Sequence, residues 1–290
     1  MVEIIDGGIT TPQGFKAAGV HSGVKYRSLD LGLLYSEVPA TAFKAFTSNK
    51  VKAAAVQMMI KDDSPKLSAI VVNSGNANAL TGRRGYEDAE TMQRAVAAEL
   101  NIDPKEVGVM STGLIGRFMD MHKIQYGISK AAKQLDVGRE ADGLLCEAIM
   151  TTDTVKKEIA VSLTIGGKEV RLGAIAKGSG MIHPNMATML AFVTTDAAIA
   201  PALLQKAVSE VVDDTFNMVS VDGDTSTNDM VTVLANGMAG NPEIVTQGPA
   251  FAAFMQALNT VSVYLCRAIA GDGEGATKLL ECKVSGAQNE

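Results

Sequence analysis

The residues best suited to chemistry lie in one stretch: Lys177-Gly178-Ser179-Gly180-Met181-Ile182-His183-Pro184-Asn185-Met186-Ala187-Thr188-Met189-Leu190. A lysine opens it, a Gly-Ser-Gly turn follows, and beyond Pro184-Asn185 a threonine stands at the head of the apolar run 189–193. A threonine hydroxyl is a weak nucleophile near neutral pH unless a base adjoins it. One available base is the threonine's own α-amine, once that amine is free. Its reference pKa, roughly 8, lets it accept a proton at working pH. Such chemistry requires a cut between Ala187 and Thr188. In that cut the Thr188 hydroxyl attacks the Ala187 carbonyl, the peptide shifts to an ester, and water opens it. Gly178, Gly180 and Pro184 are residue types that build the tight turn this demands. On spacing alone the stretch also reads as a Gly/Pro-rich connector ahead of a buried strand, and both readings stand.

Other polar clusters are ambiguous in the same way. Thr112 and Gly113 follow a strand-like run, 107–110, where a hydroxyl and a backbone N–H can both point into a cleft. A plain strand-to-helix turn is the commoner fate of Ser111-Thr112-Gly113. Lys177 is either a cation for a carboxylate or a surface lysine at a strand end. Met150-Thr151-Thr152-Asp153-Thr154 reads as a helix-ending polar cluster, and Asp272-Gly273-Glu274-Gly275 as an exposed acidic turn.

The elements that must position these groups alternate strand and helix. The first forty residues read as short strands and turns broken at Gly7-Gly8 and Pro12-Gln13-Gly14, with 31–35 a buried strand. Residues 67–72 form a β-rich run ending in the loop Asn73-Ser74-Gly75-Asn76. Ala89, Met92, Val96 and Leu100 make one stripe of a helix over 86–100, and Ile124, Ile128, Ala131 and Leu135 mark another. Asp103-Pro104 carries a helix-start signature that soon gives way to strand. A helix is expected over 139–150. Alternation at Ile159, Val161, Leu163 and Ile165, then Gly166-Gly167, then Val170, Leu172 and Ala174 predicts a hairpin whose second arm runs into Lys177. Pro201 opens a helix facing inward through Leu204, Ala207, Val208, Val211, Val212 and Phe216. A helix over 261–269 and a closing strand over 279–284 complete the chain. Paired sheets with helices outside are the simplest assembly.

Bulk properties bound the function. At 290 residues the chain can bury a large core, and 26 Lys+Arg against 32 Asp+Glu argues against a nucleic-acid phosphate backbone as partner. The sequence has no run of roughly 18 apolar residues, so no membrane span is expected. The acidic start lacks the look of a signal peptide. Three widely spaced cysteines, Cys146, Cys266 and Cys282, suit a reducing cytoplasm. The glycine-rich segment 271–278 lacks the Gly-Lys-Ser/Thr ending of a phosphate loop, and Asp222-Gly223-Asp224 lacks the sixth-position glycine of a calcium loop. His21, His122 and His183 stand alone, so neither metal nor cofactor is implied.

Several words in one order carry a resemblance. They are Gly14-Phe15-Lys16-Ala17-Ala18-Gly19, Tyr35-Ser36-Glu37-Val38-Pro39-Ala40-Thr41-Ala42, Val72-Asn73-Ser74-Gly75-Asn76-Ala77-Asn78-Ala79, Ser111-Thr112-Gly113, Val221-Asp222-Gly223-Asp224-Thr225-Ser226-Thr227-Asn228-Asp229 and Asp272-Gly273-Glu274-Gly275-Ala276-Thr277-Lys278. With the stretch 177–190 they resemble the glutamate N-acetyltransferase (ornithine acetyltransferase) family of arginine biosynthesis. The resemblance implies a layered α/β fold of paired β-sheets with outer helices, related to that of self-processing aminopeptidases. It implies self-cleavage into fragments 1–187 and 188–290, with Thr188 the nucleophile and Thr112 and Gly113 the oxyanion hole. Thr151, Lys177, Thr188 and Glu274 would bind substrate, Lys177 holding the amino-acid portion and Glu274 its amino group. The implied reaction moves acetyl from N-acetylornithine to glutamate by double displacement, and some family members also use acetyl-CoA. An oligomer of cleaved heterodimers is expected. An N-terminal-threonine amidohydrolase or aminopeptidase and a catalytically silent shortened homologue are the alternatives. Family members usually continue beyond the position of Glu290, where an asparagine and a serine or threonine join the substrate site. Smaller departures are Asp120, where proline is usual, and Gly271, where arginine is common.

Overall fold

The computed structural model describes residues 1–184 and 189–286. Among these residues, nine strands and six α-helices form a layered α/β fold. The strands are β1 (Glu3–Ile5), β2 (Phe15–Val20), β3 (Leu31–Phe46), β4 (Lys66–Asn73), β5 (Val107–Ser111), β6 (Lys157–Ile165), β7 (Lys168–Lys177), β8 (Leu190–Thr195) and β9 (Met230–Ala235). The helices are α1 (Ala54–Asp62), α2 (Gly82–Leu100), α3 (Met121–Ala132), α4 (Arg139–Ile149), α5 (Pro201–Asp214) and α6 (Pro249–Gly271).

Hydrogen bonds run through the strands in the order β1-β6-β7-β8-β9-β3-β4-β5, with β2 also on β3. The strands expected in paired sheets are thus joined, because β3 is long enough to serve both groups. Its first half pairs with β2 and β4, the register on β4 shifts between Tyr35 and Ala40, and its second half pairs with β9. Two consequences place the site. β4 and β5 are parallel, so their following loops, after Asn73 and Ser111, emerge side by side. β8 and β9 are also parallel, and Lys177 at the end of β7 pairs with Leu190 at the start of β8.

Local sequence explains the elements. The β6–β7 hairpin turns at Gly166 and Gly167, both at positive φ (57° and 77°), which the twist of a two-residue hairpin favours. Asn101 ends α2 in the left-handed conformation (φ 54°) that asparagine tolerates better than most residues. Asp103 caps the short 3-10 turn Pro104–Glu106 by accepting the Lys105 N–H. Asp120, where the family favours proline, caps α3 by accepting the Lys123 N–H at 3.4 Å. At Gly271 an added Cβ would meet nothing, so the structure offers no reason for the departure from arginine.

Alternation along β7 and β8 divides two cores. Ile175, Leu190 and Phe192 join a cluster with β2–β5 and α1–α4, while Leu172, Ala174, Ala191 and Val193 face α5 and α6. Burying a side chain such as Phe192 or Phe254 contributes about 1.5–3 kcal/mol. Among the described helices, α6 alone is long and apolar enough to cross a membrane, but Phe254, Leu258, Val261, Leu265 and Ile269 cover the second core. It extends well beyond the expected 261–269. The strand expected over 279–284 is absent: these residues are exposed and irregular. Among the described residues no neighbouring strand completes a ladder with this segment, so nothing orders it as a strand.

Candidate active site

Four separate parts of the chain bring the candidate residues to one open cleft. The end of β7 supplies Lys177, the end of β5 delivers Thr112 and Gly113, the turn after α4 carries Thr151, and the turn after α6 carries Glu274. All five line the same cleft, of about 560 Å³, which lies within the usual range for a small-ligand site. Thr188 and Ala187 lie outside the described residues.

Lys177 is the hub. Its side chain is almost wholly enclosed, and its ammonium donates to Thr151 Oγ1 at 2.7 Å and to Thr112 Oγ1 at 3.4 Å. Burial pushes its pKa below the ordinary lysine value, against the opposing pull of Asp153, Asp229 and Glu274. Asp153 behaves conversely. Burial would raise its carboxyl, yet Lys177 and Lys157 outweigh that and hold it below the usual range.

Thr112 and Gly113 sit against the Asn73–Asn76 loop. Asn73 accepts the Ser111 hydroxyl at 2.7 Å and donates to Asn76 O at 2.8 Å, while the Thr112 N–H donates to Asn73 O. Gly113 has φ +128°, and a Cβ there would lie 2.4 Å from the Gly75 carbonyl carbon, so only glycine fits. Glu274 is fastened by its backbone N–H to Ser179 O at 2.7 Å, and its carboxylate packs on Gly180. Sequence reading assigned no individual role within the Asp222–Asp229 word, and those residues prove to be the frame. Asp222 accepts from the Met181 and Ile182 N–H groups. Asn228 donates to Ala77 O at 2.6 Å and Ser111 O at 2.8 Å. Asp229 accepts the Met189 N–H at 2.9 Å. These side chains bind backbone across long sequence separations, and no local spacing announces that. Lys25 also reaches the cleft, its ammonium held by Leu29 O and Met150 O.

The result is a cleft lined by the cations Lys177 and Lys25, by threonine hydroxyls, and by the carboxylates of Glu274, Asp222 and Asp224. The ArgJ family model matches residues 16–290. The chain belongs to the ArgJ family. Its curated relatives are named arginine biosynthesis bifunctional protein ArgJ. The protein from Listeria monocytogenes is 51% identical over 99% of this chain and 71% of its own length. The one from Bacillus subtilis is 49% identical over 98% of this chain and 70% of its own. The chain thus spans about seven-tenths of the length of those relatives. Among solved structures, ArgJ from Bacillus halodurans matches with 43% identity and a TM-score of 0.60, covering 64% of this chain and 98% of its own. An ornithine acetyltransferase from Mycobacterium tuberculosis, solved with ornithine, matches with 38% identity and a TM-score of 0.59, covering 63% of this chain and 98% of its own. An aminopeptidase from Ochrobactrum anthropi of an Ntn-hydrolase fold variant shares the fold alone, at 12% identity and a TM-score of 0.53 over 89% of this chain and 85% of its own.

Proposed function

We propose that this ArgJ-family chain is an ornithine acetyltransferase, moving acetyl from N-acetylornithine to glutamate through an acetyl ester on Thr188. The observation that carries the reading is the convergence of Lys177, Thr151, Thr112 and Gly113 with Glu274 on one cleft. That cleft adjoins the head of β8, two residues beyond Thr188.

The steps follow from these groups. Self-cleavage leaves a carboxylate on Ala187 and a free amine on Thr188, giving fragments 1–187 and 188–290. The amine takes the Thr188 hydroxyl proton as the oxygen attacks the acetyl carbonyl of N-acetylornithine. Thr112 and Gly113 stabilise the oxyanion; removing one such donor costs on the order of 100-fold or more in turnover. The proton passes to the departing ornithine nitrogen. Glutamate's amine then attacks the acetyl ester and releases the threonine hydroxyl. Lys177 neutralises a substrate carboxylate, and Glu274 holds an amino group. The ornithine complex of the 38% identical neighbour supports the substrate class. Chain lengths support the cleavage: 64% of 290 residues is about 186, and that match uses 98% of the solved ArgJ chain. Free thiols at Cys146, Cys266 and Cys282 accord with a cytoplasmic enzyme, and the assembly proposed is an oligomer of cleaved heterodimers.

Intact-mass measurement tests the first step: purified protein should give two fragments meeting at Ala187/Thr188, and Thr188→Ala should stay whole and inactive. Acetylglutamate should form from N-acetylornithine and glutamate faster than free acetate, with acetyl-CoA assayed as a second donor. An uncut wild-type chain refutes the mechanism, and acetate as the main product would favour an amidohydrolase.

A further inference from the structure

Lys157 opens β6, away from the substrate-facing groups, and its side chain is fully buried. Its ammonium contacts Asp153 Oδ1 at 2.7 Å and Asp272 Oδ2 at 2.6 Å, with Val155 O at 3.4 Å. Each carboxylate is in turn a clamp. Asp153 Oδ1 also accepts the Gly178 N–H at 2.7 Å, directly after Lys177, and its Oδ2 accepts the Thr151 N–H at 3.0 Å. Asp272 accepts both the N–H and the hydroxyl of Thr154, two residues before Glu274. One ammonium therefore joins the Thr151 turn, the end of β7 and the turn carrying Glu274.

We propose that Lys157 is a positioning residue for the cleft: its ammonium sets the distance between the Lys177–Thr151 side and the Glu274 side. The physical need is plain. Two carboxylates brought within reach of one buried point repel unless a cation stands between them, and a buried ion group that loses one member leaves the rest uncompensated. Lys157 lets two acidic clamps work from the same spot, so the two halves of the substrate cradle, about 100 residues apart in the chain, keep a fixed span.

The inference rests on the reading of the cleft as an ornithine site, and the experiment separates the two. Ornithine binding is titrated calorimetrically on the wild-type protein, Lys157→Met, Asp272→Asn and a matched core variant, Val161→Ala, whose side chain is buried elsewhere on β6. Expected results are a loss of at least tenfold in affinity for Lys157→Met, a severalfold loss for Asp272→Asn, and wild-type affinity for Val161→Ala despite a lower Tm. A second readout is one that mere destabilisation would not move. Lys177 is faced by Asp153, Asp229, Glu274, Lys157 and Lys25, and Lys157 is among the groups lowering its pKa. Removing that like charge should move the alkaline limb of ornithine binding to higher pH; the ligand's own titration is common to every variant. Wild-type affinity in Lys157→Met with an unmoved limb would overturn the inference alone. Should that variant not fold, unchanged binding by a folded Asp272→Asn overturns it. Absence of ornithine binding by the wild type overturns the reading of the cleft, and this inference with it.

Discussion

Gly180→Ala isolates the alignment of Glu274 from its charge. A Cβ on residue 180 would lie 2.7 Å from Glu274 Cδ and 2.8 and 3.0 Å from its two carboxylate oxygens, against about 3.5–4.0 Å for comfortable carbon–carbon contact. The carboxylate must therefore withdraw by about 1 Å. The backbone cannot follow, because the Glu274 N–H is fixed to Ser179 O at 2.7 Å. Since the far end of a flexible side chain gives way, the cost in stability should be below about 1 kcal/mol, within the range of mild surface changes. Affinity should suffer more. A hydrogen bond to a charged group is worth about 1.5–3 kcal/mol, and its loss corresponds to roughly 10–150-fold in the dissociation constant. Calorimetric titration with ornithine beside a thermal melt reads both quantities. The expected pattern is a Tm within about 3 °C of wild type and an affinity close to that of Glu274→Gln. Wild-type affinity in Gly180→Ala, with weak binding in Glu274→Gln, would refute the steric argument.

Two further predictions follow from buried ionisable groups. Burial pushes the Asp229 carboxyl well above the usual carboxylate range, and its Oδ2 has no hydrogen-bond partner among the described residues. A raised folded pKa means its stabilising contribution is complete below the unfolded value near 3.9 and fades as pH rises through the folded value. Asp229→Asn, which can still accept the Met189 N–H, should gain on wild type by at least about 2 °C in Tm between pH 4 and pH 8. A Tm difference constant across that range would contradict the assignment. Burial also raises the Cys146 and Cys266 thiols to about 12, whereas Cys282 is exposed. Iodoacetamide at pH 8 should label Cys282 alone in the native protein and all three thiols in guanidinium, read by peptide mass mapping.

Legibility in the sequence followed the range of the interactions. The stripe Ala89, Met92 and Val96 and the Gly166-Gly167 turn are local patterns, and the structure has α2 and the β6–β7 hairpin where they point. Met230–Ala235 offers a short apolar run without alternation, and α1 begins at Ala54 behind Ala53, which supplies no side-chain cap, so neither announced itself. The segment 279–284 misled because a strand forms only where a partner strand is there to pair with it. Thr112, Gly113, Lys177 and Glu274 lie in the words that carry the resemblance, and Thr151 is implied by it, yet their convergence is a property of strand order. The supports stayed hidden: nothing local marks Lys157, Asp153 or Asp222 as a support, because their partners lie on distant segments.

The strand order carries one last consequence. β8 and β9 follow the proposed break, yet they are wedged between β7 and β3, which precede it, with six register pairs at each of the seams β7–β8 and β3–β9. A nick at that junction would be invisible to the ladder. The two pieces would remain one rigid body, welded by the weave of the sheet instead of by a peptide bond. The strands that precede the junction fall into two groups, β1-β6-β7 and β2 to β5, joined in the sheet only through β8 and β9, so a cut there would leave the pieces bound to one another.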